Sequence, residues 1–123
     1  VSQIDNALSA FLDLDGAIAI AVIDSSNGMT VAHAQRESFE IELAGAANTE
    51  VVRSKLRAVS QLGLEMKVED ILITLTGQFH LIRLSERPEL EGLFFYVVLD
   101  RARGNLALAR RQLAKLDASI DGL

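Results

Sequence analysis

Leu93-Phe94-Phe95-Tyr96-Val97-Val98-Leu99 is apolar at every position. A strand with no polar face must lie inside a sheet that is covered on both sides. After a short polar break, Leu106, Ala109, Leu113, Leu116 and Ile120 recur three and four residues apart. That spacing predicts an amphipathic helix over about 102–120 with one narrow seam, and it leaves Leu108 off the seam and exposed. The end of the chain therefore predicts one sheet with helices on two faces.

The same reading extends backwards. Ile4, Ala7, Leu8, Phe11 and Leu12 make one face of a helix over 2–12, opened by a capping box of Ser2 and Asp5 and broken at Asp13-Leu14-Asp15-Gly16. Ala17 to Ile23 is a continuous apolar run of strand length, and Met29 to Ala34 is its return strand. Between them Asp24-Ser25-Ser26-Asn27-Gly28 is a hairpin turn, long enough to expect a bulge near Gly28. Ser38 is the expected N-cap of a helix running to Leu62 and stopped by Gly63, with Glu40 and Glu42 suited to its N-terminus. Leu43, Ala47, Val51, Val52, Leu56, Val59 and Leu62 form its expected stripe. Ala44-Gly45-Ala46-Ala47-Asn48 makes its first half small and smooth. Such a surface packs closely either on the sheet or on a second copy of itself. Asp70 to Thr76 alternates, with Ile71, Ile73 and Leu75 opposite Leu72, Thr74 and Thr76, as expected of an edge strand or a face that meets a partner. Gly77-Gln78 turns into a strand over Phe79 to Leu84, and Ser85 to Gly92 is a loop holding the sole proline. The order is helix, two strands, helix, three strands, helix: an α+β fold, read as a single domain over 1–123.

Composition narrows the function. The 123 residues carry a net charge of −5 and no cysteine. Nucleic-acid binding demands a basic footprint, so none is expected. The arginines at 101, 103, 110 and 111 and the cations at 53, 55 and 57 lack neighbouring aromatic platforms and read as solvated helix faces. No apolar run is long enough to span a bilayer, and no basic stretch precedes an apolar one at the start. Neither membrane insertion nor a signal peptide is expected, and the location is expected to be cytoplasmic. The chain begins with Val1 in place of Met, which leaves room for a preceding segment.

Catalytic constellations are missing. His33 and His80 fall on different strands among apolar neighbours and read as structural histidines, and no His, Cys or carboxylate set has metal-ligand spacing. Ser25-Ser26 reads as turn chemistry and not as a nucleophile. Phosphate-binding glycine loops are absent, and Glu86, Glu89 and Glu91 surround a proline as solvated turn residues. No catalytic residue, cofactor or metal is expected.

Several words of the sequence, taken in order, resemble the Roadblock/dynein-light-chain family, within the wider profilin-like fold group. Gly16 to Asp24 with Asn27-Gly28 is similar to that family's first hairpin. The smooth helix over 43–62, Ile71-Leu72-Ile73-Thr74 and Phe79-His80-Leu81-Ile82-Arg83 follow in the family's order. The closest likeness is Leu93 to Arg101 followed by Asn105-Leu106-Ala107-Leu108-Ala109-Arg110-Arg111. The Ser25-Ser26 pair lengthens the turn relative to the family pattern. The resemblance implies a non-catalytic homodimer whose third strands pair edge to edge while the second helices pack together, with Ala47, Val51, Leu72, Ile73 and Thr74 at the interface. It also implies regulation of a small Ras-like GTPase, as co-regulator or activating platform. On the exposed face of the second helix, Glu42, Glu50, Arg53, Lys55 and Arg57 are the polar candidates for that contact. A different reading is a small-molecule sensor with a pocket against the sheet, for which strands as apolar as 17–23 and 93–99 offer few inward polar groups.

Overall fold

A computed structural model describes residues 3–121 and 123. Its elements are α1 (Gln3–Phe11), β1 (Ala17–Asp24), β2 (Met29–Gln35), α2 (Ile41–Gln61), β3 (Asp70–Thr74), β4 (Gln78–Leu84), a single 3-10 turn (Pro88–Leu90), β5 (Leu93–Asp100) and α3 (Leu106–Ser119). The strands form one antiparallel sheet in the order β2-β1-β5-β4-β3. β5 is central, as its two-faced apolar sequence requires.

Alternation along β5 divides the core. Phe95, Val97 and Leu99 meet α1 and α3 through Leu8, Phe11, Leu113 and Ile120. Phe94, Tyr96 and Val98 belong to the opposite layer with Ile41 and Val52 of α2. Burying one such aromatic side chain contributes roughly 1.5–3 kcal/mol, so Phe94-Phe95-Tyr96 ties both helix layers to one strand.

Several expectations shift in detail. Ser2 lies outside the described residues. The bulge falls within the hairpin's strands: Val22 faces Ala32 while Ile23 faces Thr30, which leaves Val31 as the extra residue. Gly28 closes the turn with φ 76° and donates its N–H to the Asp24 carbonyl at 2.7 Å. Asp24 also accepts from the Ser26 hydroxyl and amide, which holds its carboxyl below the usual range. Helix α2 begins three residues after Ser38, at an N-cap Glu40 that makes no side-chain cap bond. Phe39 packs against the His80 and Tyr96 rings, and that contact keeps residues 38–40 out of the helix. Helix α3 starts at 106 instead of 102 because Asn105 caps it, its side chain accepting from the Leu108 amide. Leu108 is half-buried, not exposed.

The largest departure concerns α2. Its sheet-facing residues are Ile41, Gly45, Asn48, Thr49 and Val52. Of the expected stripe only Val52 is buried; Leu43 is 68% exposed and Leu62 is 71% exposed. Gly45 does permit a close approach, but to the chain's own sheet, since a Cβ there would lie 2.9 Å from Ile23 Cδ1. Asn48 and Thr49 can face the sheet because each bonds back to a carbonyl one turn earlier, Ala44 and Gly45 respectively.

Candidate interaction surface

β3 is a sheet edge: it pairs with β4 on one side, and its other side carries no strand among the described residues. Ile71 and Ile73 lie on the α2 face of the sheet and Leu72 on the face of α1 and α3; all three are half-buried, and Thr74 is exposed. An apolar edge of this kind is a template for another strand. It is held in place by Arg110 of α3, whose Nε and one terminal nitrogen bond the two Asp70 carboxylate oxygens at 3.0 and 3.1 Å.

Helix α2 packs mainly over β1 and β2. Contacts orient it: Ala46 and Thr49 approach Gly28 at the hairpin, whereas Asn48 bonds Tyr96 of β5. The flank beyond Asn48, toward β4 and β3, is that of Ala44, Ala47 and Val51. With Leu43, Ala58 and Leu62 these form a seam along the outer side of α2 at helical spacing. Val51 and Leu43 are both exposed. Ala47 and Val51 therefore stand on the side of the helix nearest the free edge that bears Ile73.

The five polar candidates on α2 do not form one group. At about 100° per residue, Glu42, Glu50, Arg53 and Arg57 fall within one arc of about 80°. Lys55 lies on the opposite flank, beside Val51. All five are exposed, and none is held in an ion pair among the described residues.

Under the uncovered half of the α2 face lies a polar cluster that sequence reasoning missed. His80 Nδ1 is 3.0 Å from the Tyr96 hydroxyl, and His80 Nε2 is 2.9 Å from Gln78 Oε1. Burial pushes the Tyr96 hydroxyl up to about 12 and His80 below its ordinary value. His80 reads as structural in the sequence, but its meeting with Tyr96 depends on which strands pair. His33, by contrast, is exposed on the edge strand β2.

A second cluster fixes the loop between β4 and β5. Asp117 of α3 is 2% exposed. Its carboxylate accepts from Ser85 Oγ (2.7 Å), the Glu86 amide (3.1 Å) and Arg83 Nε (3.3 Å). Arg87 donates to the carbonyls of Asp117 and Ile120 at the end of α3 and pairs with Glu89 at 2.6 Å. The sequence did carry a signal for it: Leu113, Asp117 and Ile120 are spaced four and three apart, which puts a carboxylate on the apolar seam.

That loop walls an open groove of about 1040 Å³ whose other side is the end of α2 and the approach to β3, with Leu56, Val59, Leu64, Met66, Leu84 and Phe94 among its lining. Ser25 closes one end, its amide and hydroxyl both donating to the Gly92 carbonyl, so the serine pair serves the turn. Among the described residues no three His, Cys, Asp or Glu side chains converge as a metal site, and no helix is long and apolar enough to cross a membrane.

No protein-family model matches the chain, and no curated protein matches it by sequence. Solved structures do match in fold. A Roadblock/LC7 domain from Streptomyces avermitilis superposes with TM-score 0.81 at 13% identity, over 95% of this chain and 93% of that one. MglB from Myxococcus xanthus gives TM-score 0.81 at 13% identity, over 95% and 90%. An MglB in a tetrameric arrangement gives TM-score 0.77 at 14% identity, over 91% and 80%. The chain has the Roadblock/LC7 fold, as the order of its elements implied.

Proposed function

We propose that this chain, folded as a Roadblock/LC7 domain, pairs with a second copy through β3 and α2, and that the paired surface binds and regulates a small Ras-like GTPase. The observation that carries the pairing is the conjunction of an exposed apolar seam on α2 with a free apolar edge at β3. Covering either alone would leave the other in water. A two-fold axis beside β3 covers both at once and closes the assembly. Ala47 and Val51 contribute from the helix, and Leu72, Ile73 and Thr74 from the strand. The tetrameric arrangement of an MglB with this fold is in keeping with self-association.

The GTPase would dock on the polar arc of Glu42, Glu50, Arg53 and Arg57, which stays open when the seam is covered. Lys55, on the seam's flank, belongs with the pairing surface instead. Such a platform needs no catalytic residue of its own. It would act as a regulator by binding the competent arrangement of the GTPase switch segments more tightly than the alternatives.

Placing a charge at Ile73→Asp or Ala47→Glu is expected to convert a stable pair into single chains, read as a halving of mass in light scattering. Pairs that survive both changes would remove this interface. The tagged chain should retain a small GTPase from its source lysate in the presence of a non-hydrolysable GTP analogue, and the purified partners should show altered hydrolysis. Retention lost in Arg53→Glu with pairing intact would assign the arc. The groove beside α2 favours a second reading, a sensor for a small apolar ligand. A ligand at 100 times its dissociation constant would raise stability by about 2.7 kcal/mol, visible in a thermal-shift screen of metabolites.

A further inference from the structure

We propose that His80 makes the association of two copies acid-sensitive: its neutral form supports the pair, and protonation at Nδ1 releases it. The inference rests on the pairing through β3 and α2 proposed above.

The hydrogen bonds around His80 run in one direction. Asn48 donates to the Ala44 carbonyl and also meets the Tyr96 hydroxyl. Tyr96 keeps its proton far above neutral pH, so its O–H is free to donate to His80 Nδ1 at 3.0 Å. Gln78 Oε1 can only accept, so the proton on His80 sits on Nε2, 2.9 Å away. Every member of the chain from Asn48 through Tyr96 and His80 to Gln78 then has its partner. A proton on Nδ1 would turn that nitrogen from acceptor into donor, so the Tyr96 O–H could no longer donate to it.

No charge stands ready to compensate. On β5, Val98 is opposite His80; Asp100, the carboxylate further along that face, is opposite Gln78 and accepts from the Ala102 amide. On β3, Ile73 is opposite His80, and Asp70 is turned to Arg110 of α3 on the other face. From α2 the nearest polar group is Asn48, with Lys55 two turns further on. From the segment before α2, Phe39 lies edge-on to the imidazole at 6.2 Å between ring centres, and Tyr96 does the same from β5 at 5.5 Å.

His80 is half-buried in one chain, on the part of the sheet that α2 does not cover and next to the strand proposed to pair. The residues named for the pairing surface, Ala47, Val51, Leu72, Ile73 and Thr74 with Lys55 on its flank, include no carboxylate, so a second copy laid there by them removes water from the ring without supplying an anion. The charged form therefore loses more than the neutral form, and its affinity for a proton falls further on association. Linkage fixes the sign: the contribution to pairing is complete above the value in the single chain, which burial already holds below the ordinary one, and is lost as the pH falls from there toward the still lower value in the pair.

The test is the dissociation constant of the pair by sedimentation at pH 7.5 and 5.5, for the native chain and for His80→Gln and His33→Gln. The native chain and His33→Gln should pair more weakly at pH 5.5 than at pH 7.5, whereas His80→Gln should change little. A native pair indifferent to pH, or one whose pH dependence survives in His80→Gln, would overturn the role of His80 and leave the pairing standing. A chain that stays single at pH 7.5 would overturn the pairing and this inference with it. If His80→Gln does not fold, the His80 imidazole resonance decides: its midpoint should be lower in concentrated than in dilute native protein, and the reverse order would refute the proposal.

Discussion

Asp117→Ala should lower the unfolding free energy by about 3–5 kcal/mol, the usual cost of breaking a buried ion pair by removing one partner. The carboxylate is almost wholly buried and satisfies three donors at once, from Arg83, Ser85 and the Glu86 backbone. Removing it takes the nearer carboxylate from the Arg83 guanidinium, whose side chain is 17% exposed and keeps only Glu86 at 3.8 Å, and leaves a backbone N–H without its acceptor. Urea unfolding followed by circular dichroism would measure the loss. Arg83→Ala in the same background should cost less than it does alone, because the two act through one cluster. Additive losses would show that the cluster does not hold the loop as described. Because Glu86, Arg87 and Pro88 line the groove, Asp117→Ala should also loosen that wall, seen as faster amide exchange over 85–92.

Gly16→Ala is the second large effect. Gly16 has φ 82°, where an L side chain is strained, and an added Cβ would lie 2.6 Å from Gly104 N. The neighbouring atom is backbone and cannot swing aside. Gly16 O accepts from the Asp100 amide at 2.7 Å, and the Gly104 amide donates to the Asp100 carbonyl at 2.7 Å, so three backbone segments cross here. Backbone strain of about 1–2 kcal/mol and forced overpacking of about 1–3 kcal/mol together give a loss of roughly 2–5 kcal/mol. Gly63→Ala is the matched control. It also has positive φ (67°), but nothing lies within 4 Å of the added Cβ, so only the strain should appear. Equal losses at the two positions would show that the crossing at Gly104 has room for a side chain.

The elements of the fold were legible from periodicity, and the errors share one cause. Period-2 and period-3.6 patterns say which residues lie together on an element, but not which side of that element meets the rest of the chain. Along α2 the apolar residues are the longer ones, Leu43, Val51 and Leu62, while the side that packs on the sheet uses Gly45, Asn48 and Thr49. Hydrophobicity alone misplaces the face there, because at Gly45 the helix sits too close to Ile23 of β1 for a side chain, and only Ile41 and Val52 among its large residues face the sheet. The outward face is informative: Leu43, Ala47, Val51 and Leu62 of the expected stripe lie on the seam now proposed to meet a second copy, where the family resemblance already implied Ala47 and Val51. The start of α2 was misplaced because Ser38 satisfies a local capping rule, while Phe39 is drawn away by rings that are distant in sequence.

From sequence alone came the order of helices and strands, the central place of β5 and the edge character of β3. Each of these follows from short-range pattern or composition, which a linear chain displays directly. Only the tertiary structure decided that α2 turns its apolar seam outward, that Asp117 gathers a loop around itself, and that Asn48, Tyr96, His80 and Gln78 form one chain of hydrogen bonds. Those facts depend on strand register and helix rotation. Both are set by how all the side chains pack at once, so no local stretch of sequence contains them.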